Sequence, residues 1–402
     1  MFPKQAPVLG TGDHHHHGVG LPASSRLTRW IGTGGRRPRK ATLLAAIAAS
    51  AALLGASLVG PASAAAPHLA PDAAAPPTDP DAPLQAGDAR CRVTKNLVPR
   101  CGAWWGAVSS PEGSETPADA IHALEANSDE PVDVVHWYFR DTQIWPPSWL
   151  IDLAREPGNK RLLAINWKPE AGHTWAETAN GAADWYIDRE AEYLRANFRD
   201  PFFLTIHHEP EDEVNQAPGS GYTAMDYSKM YRHVVDRLRA KGVDNAVYVM
   251  NYMGFQGWGL QPWFPDLYPG DGYVDWIAYD PYASSSLGDQ ERGVRFMLNS
   301  HWGETSWPGA YRYFTRTFPG KPIMLGEWGV GEKPGVPDWK ARFFNRLGKR
   351  LADDQFPRLK ALLYYDTRYG PASGDTRADT SPQALASLRE LLDRKKIWAS
   401  SP

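Results

Sequence analysis

Two glutamates, Glu209 and Glu327, stand 118 residues apart, each closing a short apolar run just before a turn signal. The first run reads Phe202-Phe203-Leu204-Thr205-Ile206-His207-His208-Glu209-Pro210; the second reads Pro322-Ile323-Met324-Leu325-Gly326-Glu327-Trp328-Gly329. Cleavage of a glycosidic bond needs two carboxyl groups. One protonates the leaving oxygen, and the other attacks the anomeric carbon or activates water. A carboxylate at the C-terminal end of a buried strand is also where barrel enzymes keep their reactive groups. A single Glu beside a turn reads as a surface acid, whereas a pair set among Trp and His reads as an acid and a nucleophile. Other chemistries find less support. His207-His208-Glu209 lacks the His-x-x-x-His spacing of a helical zinc site, so neither metal nor cofactor is expected. No Gly-x-Ser-x-Gly elbow offers a serine nucleophile. Strand alternation puts His207 and Glu209 on one face and His208 on the other. Glu211, Asp212 and Glu213 beyond Pro210, and Glu332 beyond Gly329 and Gly331, read as solvated loop acids.

Positioning such a pair takes a repeating scaffold, and the chain alternates strand and helix signals. Strand patterns end at Trp105, Tyr138, Trp167, Glu209, Tyr252, Tyr282, Glu327 and Asp366. The sixth of these runs from Val274 to Tyr282, with Trp276 mid-strand and assigned to the core. Amphipathic stretches fall between them, at Gly181–Phe198, Ala224–Lys241, Ser306–Phe318, Asp338–Asp353 and Ser381–Arg394. The connection Gly254–Tyr273 is rich in Gly, Pro and Trp and reads as a loop. Eight strands in this alternation predict an α/β fold, a closed (β/α)8 TIM barrel forming a single catalytic domain over residues 89–402. An open doubly wound sheet is the rival, but no Gly-rich nucleotide loop follows the first strand. In a barrel all the strand ends meet at one face. That face would collect Trp104, Trp105, His136, Trp137, Asn166, Trp167, His207, His208, Asn251, Tyr252, Asp280, Tyr282, Trp328, Tyr365 and Asp366 around the two glutamates. Flat apolar platforms mixed with hydrogen-bonding groups suit sugar rings and their hydroxyls.

Ahead of the domain, residues 1–64 read as a signal peptide, basic from Arg26 to Lys40, apolar from Ala41 to Val59 and small-residue at Ala62-Ser63-Ala64. Pro38-Arg39-Lys40 after Arg36-Arg37 argues against a twin-arginine signal. An uncleaved anchor is the rival, although the Ala-rich run is barely long enough and weakly hydrophobic. The tract His14–His17 lies upstream of the cleavage site and is given no function. Residues 65–88 read as an Ala/Pro-rich linker. Removing residues 1–64 leaves 36 basic against 45 acidic residues, net −9, a balance that excludes a nucleic-acid partner. The expected product is a secreted, extracellular monomer, free of the membrane after cleavage and acting on a polysaccharide. The two cysteines, Cys91 and Cys101, fit a disulfide closing a short loop in an oxidising compartment.

From about Gly102 onward the chain resembles glycoside hydrolase family 26, the β-mannanase-like (β/α)8 barrels. The resemblance rests on His208-Glu209, on Tyr268-Pro269-Gly270-Asp271-Gly272-Tyr273-Val274-Asp275-Trp276, and on Lys321-Pro322-Ile323-Met324-Leu325-Gly326-Glu327-Trp328-Gly329, in the family's order. It implies a retaining mechanism with Glu209 as acid/base and Glu327 as nucleophile. It further implies that Tyr282 hydrogen-bonds the nucleophile and that His208 holds a hydroxyl or the acid/base carboxylate. Trp105, Trp167, Trp258 and Trp328 are then the expected sugar platforms, with His136, Asn166 and Asp366 as further substrate-binding residues. The chain departs from the mannanase pattern at Pro210-Glu211-Asp212-Glu213-Val214-Asn215 and at Tyr364-Tyr365-Asp366. Both departures touch sugar subsites. The expectation is therefore an endo-β-glycanase with β-1,4-mannan favoured, and a xylanase or β-1,3-/mixed-linkage glucanase as the alternative on the same fold. A non-catalytic carbohydrate-binding barrel is the rival of another class, but a pure binder has no need of both carboxylates and Tyr282.

Overall fold

The β-branched and aromatic runs form strands in the computed structural model, which describes residues 91–283, 289–301, 303, 305–353, 355–368 and 374–399. The expected signal peptide, the His14–His17 tract and the linker lie outside the described residues. Among the described residues the strands are β1 (Trp104–Ser109), β2 (Val134–Phe139), β3 (Leu162–Trp167), β4 (Phe202–Ile206), β5 (Ala246–Tyr252), β6 (Trp276–Tyr279), β7 (Tyr282–Ala283), β8 (Ile323–Val330) and β9 (Leu359–Asp366). All pair in parallel, and the β6–β8 pairing closes eight of them into the expected barrel. The expected sixth strand is split. Pro281 has no N–H for the ladder, so β6 stops at Tyr279 and two-residue β7 resumes against Gly329 and Val330. In the gap, the Asp280 side chain takes the Glu327 N–H at 2.9 Å.

The helices are α1 (Pro117–Ser128), α2 (Ser148–Ala154), α3 (Trp175–Ala179), α4 (Asp184–Asn197), α5 (Ala224–Ala240), α6 (Gln256–Gly259), α7 (Gln290–Asn299), α8 (Ala310–Thr317), α9 (Trp339–Ala352) and α10 (Pro382–Leu392). Capping boxes start α1, α3 and α5, where Thr116, Thr174 and Thr223 exchange hydrogen bonds with Asp119, Glu177 and Asp226. Each such cap contributes about 1 kcal/mol. The Gly254–Tyr273 connection is mostly loop, interrupted by the single turn α6 and a 3-10 turn at Phe264–Leu267. No helix among the described residues is long and apolar enough to cross a membrane.

Alternation along the strands sorts the core into two layers. Trp104, Val134, Ala164, Phe203, Val249, Trp276, Ala278, Met324 and Leu363 fill the barrel interior. The odd-register neighbours Trp105, Trp137, Trp167 and Trp328 face outward and pack with the helices. The floor of the barrel is plugged by the loop that the Cys91–Cys101 disulfide closes, with Cα atoms 5.5 Å apart. Backbone oxygens of Leu97 and Asn96 in that loop accept the indole N–H groups of Trp104 (2.7 Å) and Trp276 (2.6 Å). Trp276, which opens β6, is thus a core residue, as expected.

Candidate active site

The interior register that begins with Val134 and Ala164 continues up the strands to His136 and Tyr138 on β2 and Asn166 on β3. On β5 it reaches Asn251, and on β9 Tyr365. Glu327 joins them because β8 slips register against β9 between Leu325 and Trp328. Gly326 makes room for the slip. A Cβ there would lie 2.1 Å from Asn251 Oδ1 and 2.7 Å from Asp280 Oδ1. Only a hydrogen fits, and so the backbone can bring Glu327 N–H onto Asp280.

The carboxyl of Glu327 is gripped at both oxygens. Tyr138 Oη donates to Oε1 at 2.6 Å and Tyr282 Oη donates to Oε2 at 2.7 Å. Asp280 is itself held by Asn251 Nδ2, which donates to Oδ2 at 2.6 Å. Tyr365 packs its ring 6.3 Å from Tyr138 and 6.0 Å from Tyr282, completing a tyrosine wall around the carboxylate. Burial raises the Glu327 carboxyl, while the two phenol hydrogen bonds pull it back toward the ionised form. Burial and the neighbouring charge hold both phenols well above their usual range, so they remain donors.

Glu209 is raised further, well above its usual range. Burial and then the charges of Glu327 and Glu211 raise its carboxyl well above the carboxylate range, with only a hydrogen bond to Asp280 opposing them. Both carboxyls are raised by burial, but the phenols check the rise at Glu327 while neighbouring charge adds to it at Glu209, and a difference in that direction is what acid-assisted displacement requires. The Glu209 backbone is left-handed (φ 52°) and its N–H donates to Asn251 O at 3.0 Å. Strand β4 ends at Ile206, and His207 is left-handed as well (φ 51°). This turn breaks the expected alternation. His208 turns toward Tyr138, with ring centroids 5.4 Å apart, while His207 points away to Trp175 and Glu170.

His208 Nδ1 has no protein partner, and burial, with Lys168 and two further histidines nearby, keeps the ring neutral. His136 lies 3.4 Å from the Tyr138 hydroxyl and is hydrogen-bonded to Asn166. Burial lowers it to about 4. Three expected platforms are overturned. Trp105, Trp167 and Trp328 are 1%, 0% and 0% exposed and face the helix layer, so they have no ring face free for a sugar. Trp258 on α6 stays partly accessible beside Trp263. Asp366 also faces outward, where it accepts from Ser109 Oγ (2.7 Å) and Ala378 N (2.6 Å) as an anchor for the loop after β9. Burial raises it to about 6.

Three acids read as solvated are engaged instead. Glu211 is fully buried, accepts from Gly254 N at 3.3 Å, and is raised by that burial to about 7. Glu213 pairs with Lys168 and His207. Glu332 accepts from Thr380 and Ser381 at the start of α10. Asp212 is exposed, as expected. Tyr138 is the functional residue that sequence reasoning missed. Its i, i+2 relation to His136 was the available signal. Among the described residues no group of three or more His, Cys, Asp or Glu is arranged to hold a metal ion.

Comparison with known proteins finds similar sequences and similar folds. The profile of Glycosyl hydrolase family 26 matches residues 201–294, a span that holds Glu209, Asp280 and Tyr282. Endoglucanase H of Acetivibrio thermocellus is 26% identical over 319 residues, 75% of this chain and 32% of that protein. A mannan endo-1,4-beta-mannosidase of Bifidobacterium adolescentis is 29% identical over 139 residues, 33% of this chain and 13% of that protein. The chain thus spans a third or less of the length of these relatives. In fold, it superposes on a family 26 beta-mannanase from Bacteroides ovatus with a TM-score of 0.51 at 16% identity, covering 74% of this chain and 90% of that one. The catalytic domain of a family 26 endo-beta-1,4-mannanase from Bacillus sp. JAMB-750 gives a TM-score of 0.50 at 16% identity, covering 75% and 87%. With its barrel, its ordered motifs and these matches, the chain is similar to Glycosyl hydrolase family 26 over residues 201–294 and shares the barrel fold of that family's solved members.

Proposed function

We propose that this glycoside hydrolase cuts β-linked polysaccharide chains internally and with retention of configuration. Glu327 attacks the anomeric carbon while Glu209 gives its proton to the departing glycosidic oxygen, leaving a glycosyl ester on Glu327. Glu209, now ionised, takes a proton from water as that water attacks the same carbon and frees Glu327. The observation that carries this reading is the contrast between the two carboxyls. Two phenols favour the ionised form of Glu327, and neighbouring negative charge favours the protonated form of Glu209. We further propose export through the N-terminal signal.

The favoured substrate is β-1,4-mannan, as the relative named a mannosidase suggests. A second reading, β-glucan, is supported by the longer alignment with the relative named an endoglucanase. Both are tested by E209A and E327A on mannan, xylan and mixed-linkage glucan, with the product anomer followed by NMR. Loss of general acid/base help should slow E209A by about 10²–10⁴-fold on the preferred polymer. Full activity in either variant, or an initially inverted anomer, refutes the mechanism.

A further inference from the structure

We propose that His207, clasped between the carboxylates of Glu170 and Glu213, is a positioning residue that aims the Glu209 carboxyl at the glycosidic oxygen. The inference rests on the reading of Glu209 as acid/base.

The segment bearing Glu209 is strained. His207 and Glu209 are both left-handed at φ 51° and 52°, although each carries a Cβ. Such conformations persist only where the surroundings over-determine them. Backbone bonds supply part of the constraint. His207 N donates to Trp167 O at 2.8 Å, and Tyr227 Oη on α5 donates to Ile206 O and His207 O at 3.0 and 3.1 Å.

The side chain of His207 supplies the rest. Its Nδ1 bonds Glu170, which lies in the segment leaving β3, and lies 3.3 Å from the Trp175 indole N–H, while its Nε2 makes an ion pair with Glu213 Oε1 at 3.2 Å without hydrogen-bond geometry. Glu213 ends the 3-10 turn Pro210–Glu213 that follows Glu209 directly, and Lys168 holds the same oxygen from the β3 side. His207 on one flank of Glu209 and Glu213 on the other are therefore tied together and to the β3 exit. The imidazole and its Glu170 partner are buried, with side chains 3% and 11% exposed, and the Trp175 ring covers the imidazole edge-on. An ion pair so enclosed is little screened by salt.

Glu170 and Lys168 from the β3 exit, Glu213 from the 3-10 turn and Tyr227 from α5 face His207. Burial pulls its proton affinity down, but the charge of Glu170, the bond to Glu170 and the nearby Glu213 carboxylate outweigh burial and raise it. Burial alone would raise Glu213, yet His207 and Lys168 hold it well below the carboxylate range. A raised histidine contributes fully below its unfolded value and stops contributing as pH rises through its folded value. A depressed carboxylate contributes above its unfolded value and stops contributing as pH falls through its folded value. The clasp therefore weakens as pH rises through the raised value of His207.

The test uses the whole protein with H207Q and E170Q, and E209A as reference. Substrates are the preferred polysaccharide and the 2,4-dinitrophenyl β-glycoside of its disaccharide, whose leaving group departs without protonation. A displaced acid lowers kcat on the polymer at least tenfold in H207Q while changing kcat/KM on the aryl glycoside less than threefold. Azide, which needs no general base, then accelerates aryl glycoside turnover in H207Q as it does in E209A. E170Q, which removes the charge but keeps a hydrogen-bonding group, should move the alkaline limb of the polymer profile to lower pH. It also serves if H207Q does not fold. Equal losses on both substrates, no loss, or an unmoved alkaline limb in E170Q overturns the clasp while leaving E209A with its signature. If E209A itself lacks that signature, the acid/base reading falls, and the clasp with it.

Discussion

Replacing Tyr138 with Phe removes the hydroxyl that donates to Glu327 Oε1 at 2.6 Å and leaves the ring in place. A hydrogen bond to a charged group is worth about 1.5–3 kcal/mol. Because the phenol bonds the carboxylate form, that energy is the differential between ionised and protonated Glu327, and 1.36 kcal/mol corresponds to one pH unit. The site is buried and little water can replace the hydroxyl, since Glu327 is 6% exposed. The acid limb of kcat/KM, which reports the nucleophile in the free enzyme, should therefore move up by roughly one to two pH units. Y282F should do the same from the other oxygen. The two phenols share one carboxylate, so the double variant should deviate from additivity, as groups in one network do. The assay is kcat/KM against pH on a single soluble polymer, with melting temperature followed to confirm folding. An acid limb that stays in place in both single variants would refute the assignment of the phenols as the groups that keep Glu327 ionised.

Three further outcomes are expected. Glu190 on α4 is wholly buried, accepts from Trp145 N, and is raised by burial to about 9. A carboxyl protonated when folded and ionised when unfolded makes stability fall as pH rises from its unfolded value toward 9; melting scans between neutral and alkaline pH should show a flatter decline for E190Q than for the parent. W167A should cost about 3–5 kcal/mol in a denaturant titration, because a buried indole leaves a cavity. W258A should leave stability nearly unchanged and raise KM for polymer, and unchanged KM would remove Trp258 from the sugar subsites.

The strand order and the place of both glutamates were legible because each strand is a local pattern: an apolar run ended by a turn. Direction around the barrel was harder to read. A shift of one residue separates an interior side chain from one under the helices, so Trp105, Trp167 and Trp328 looked like platforms although they belong to the outer layer. The same ambiguity hid Tyr138, which shares the interior register of His136. Glu211 and Glu213 looked solvated because the charge run Glu211-Asp212-Glu213 is hydrophilic in isolation. Only folding brings Gly254 N–H to Glu211, and Lys168 and His207 to Glu213.

The sequence by itself determined the enzyme class and the scaffold and singled out the two carboxyls as candidates, since these depend on residue type and short-range periodicity. Tertiary structure alone decided how the carboxyls differ. Ionisation is set by burial and by charges and donors within a few ångströms, and those arrive from β2, β6–β8 and the turn after β4, far apart along the chain. Tyr138 is 189 residues from the carboxylate it bonds. Such a contact exists only once the barrel closes.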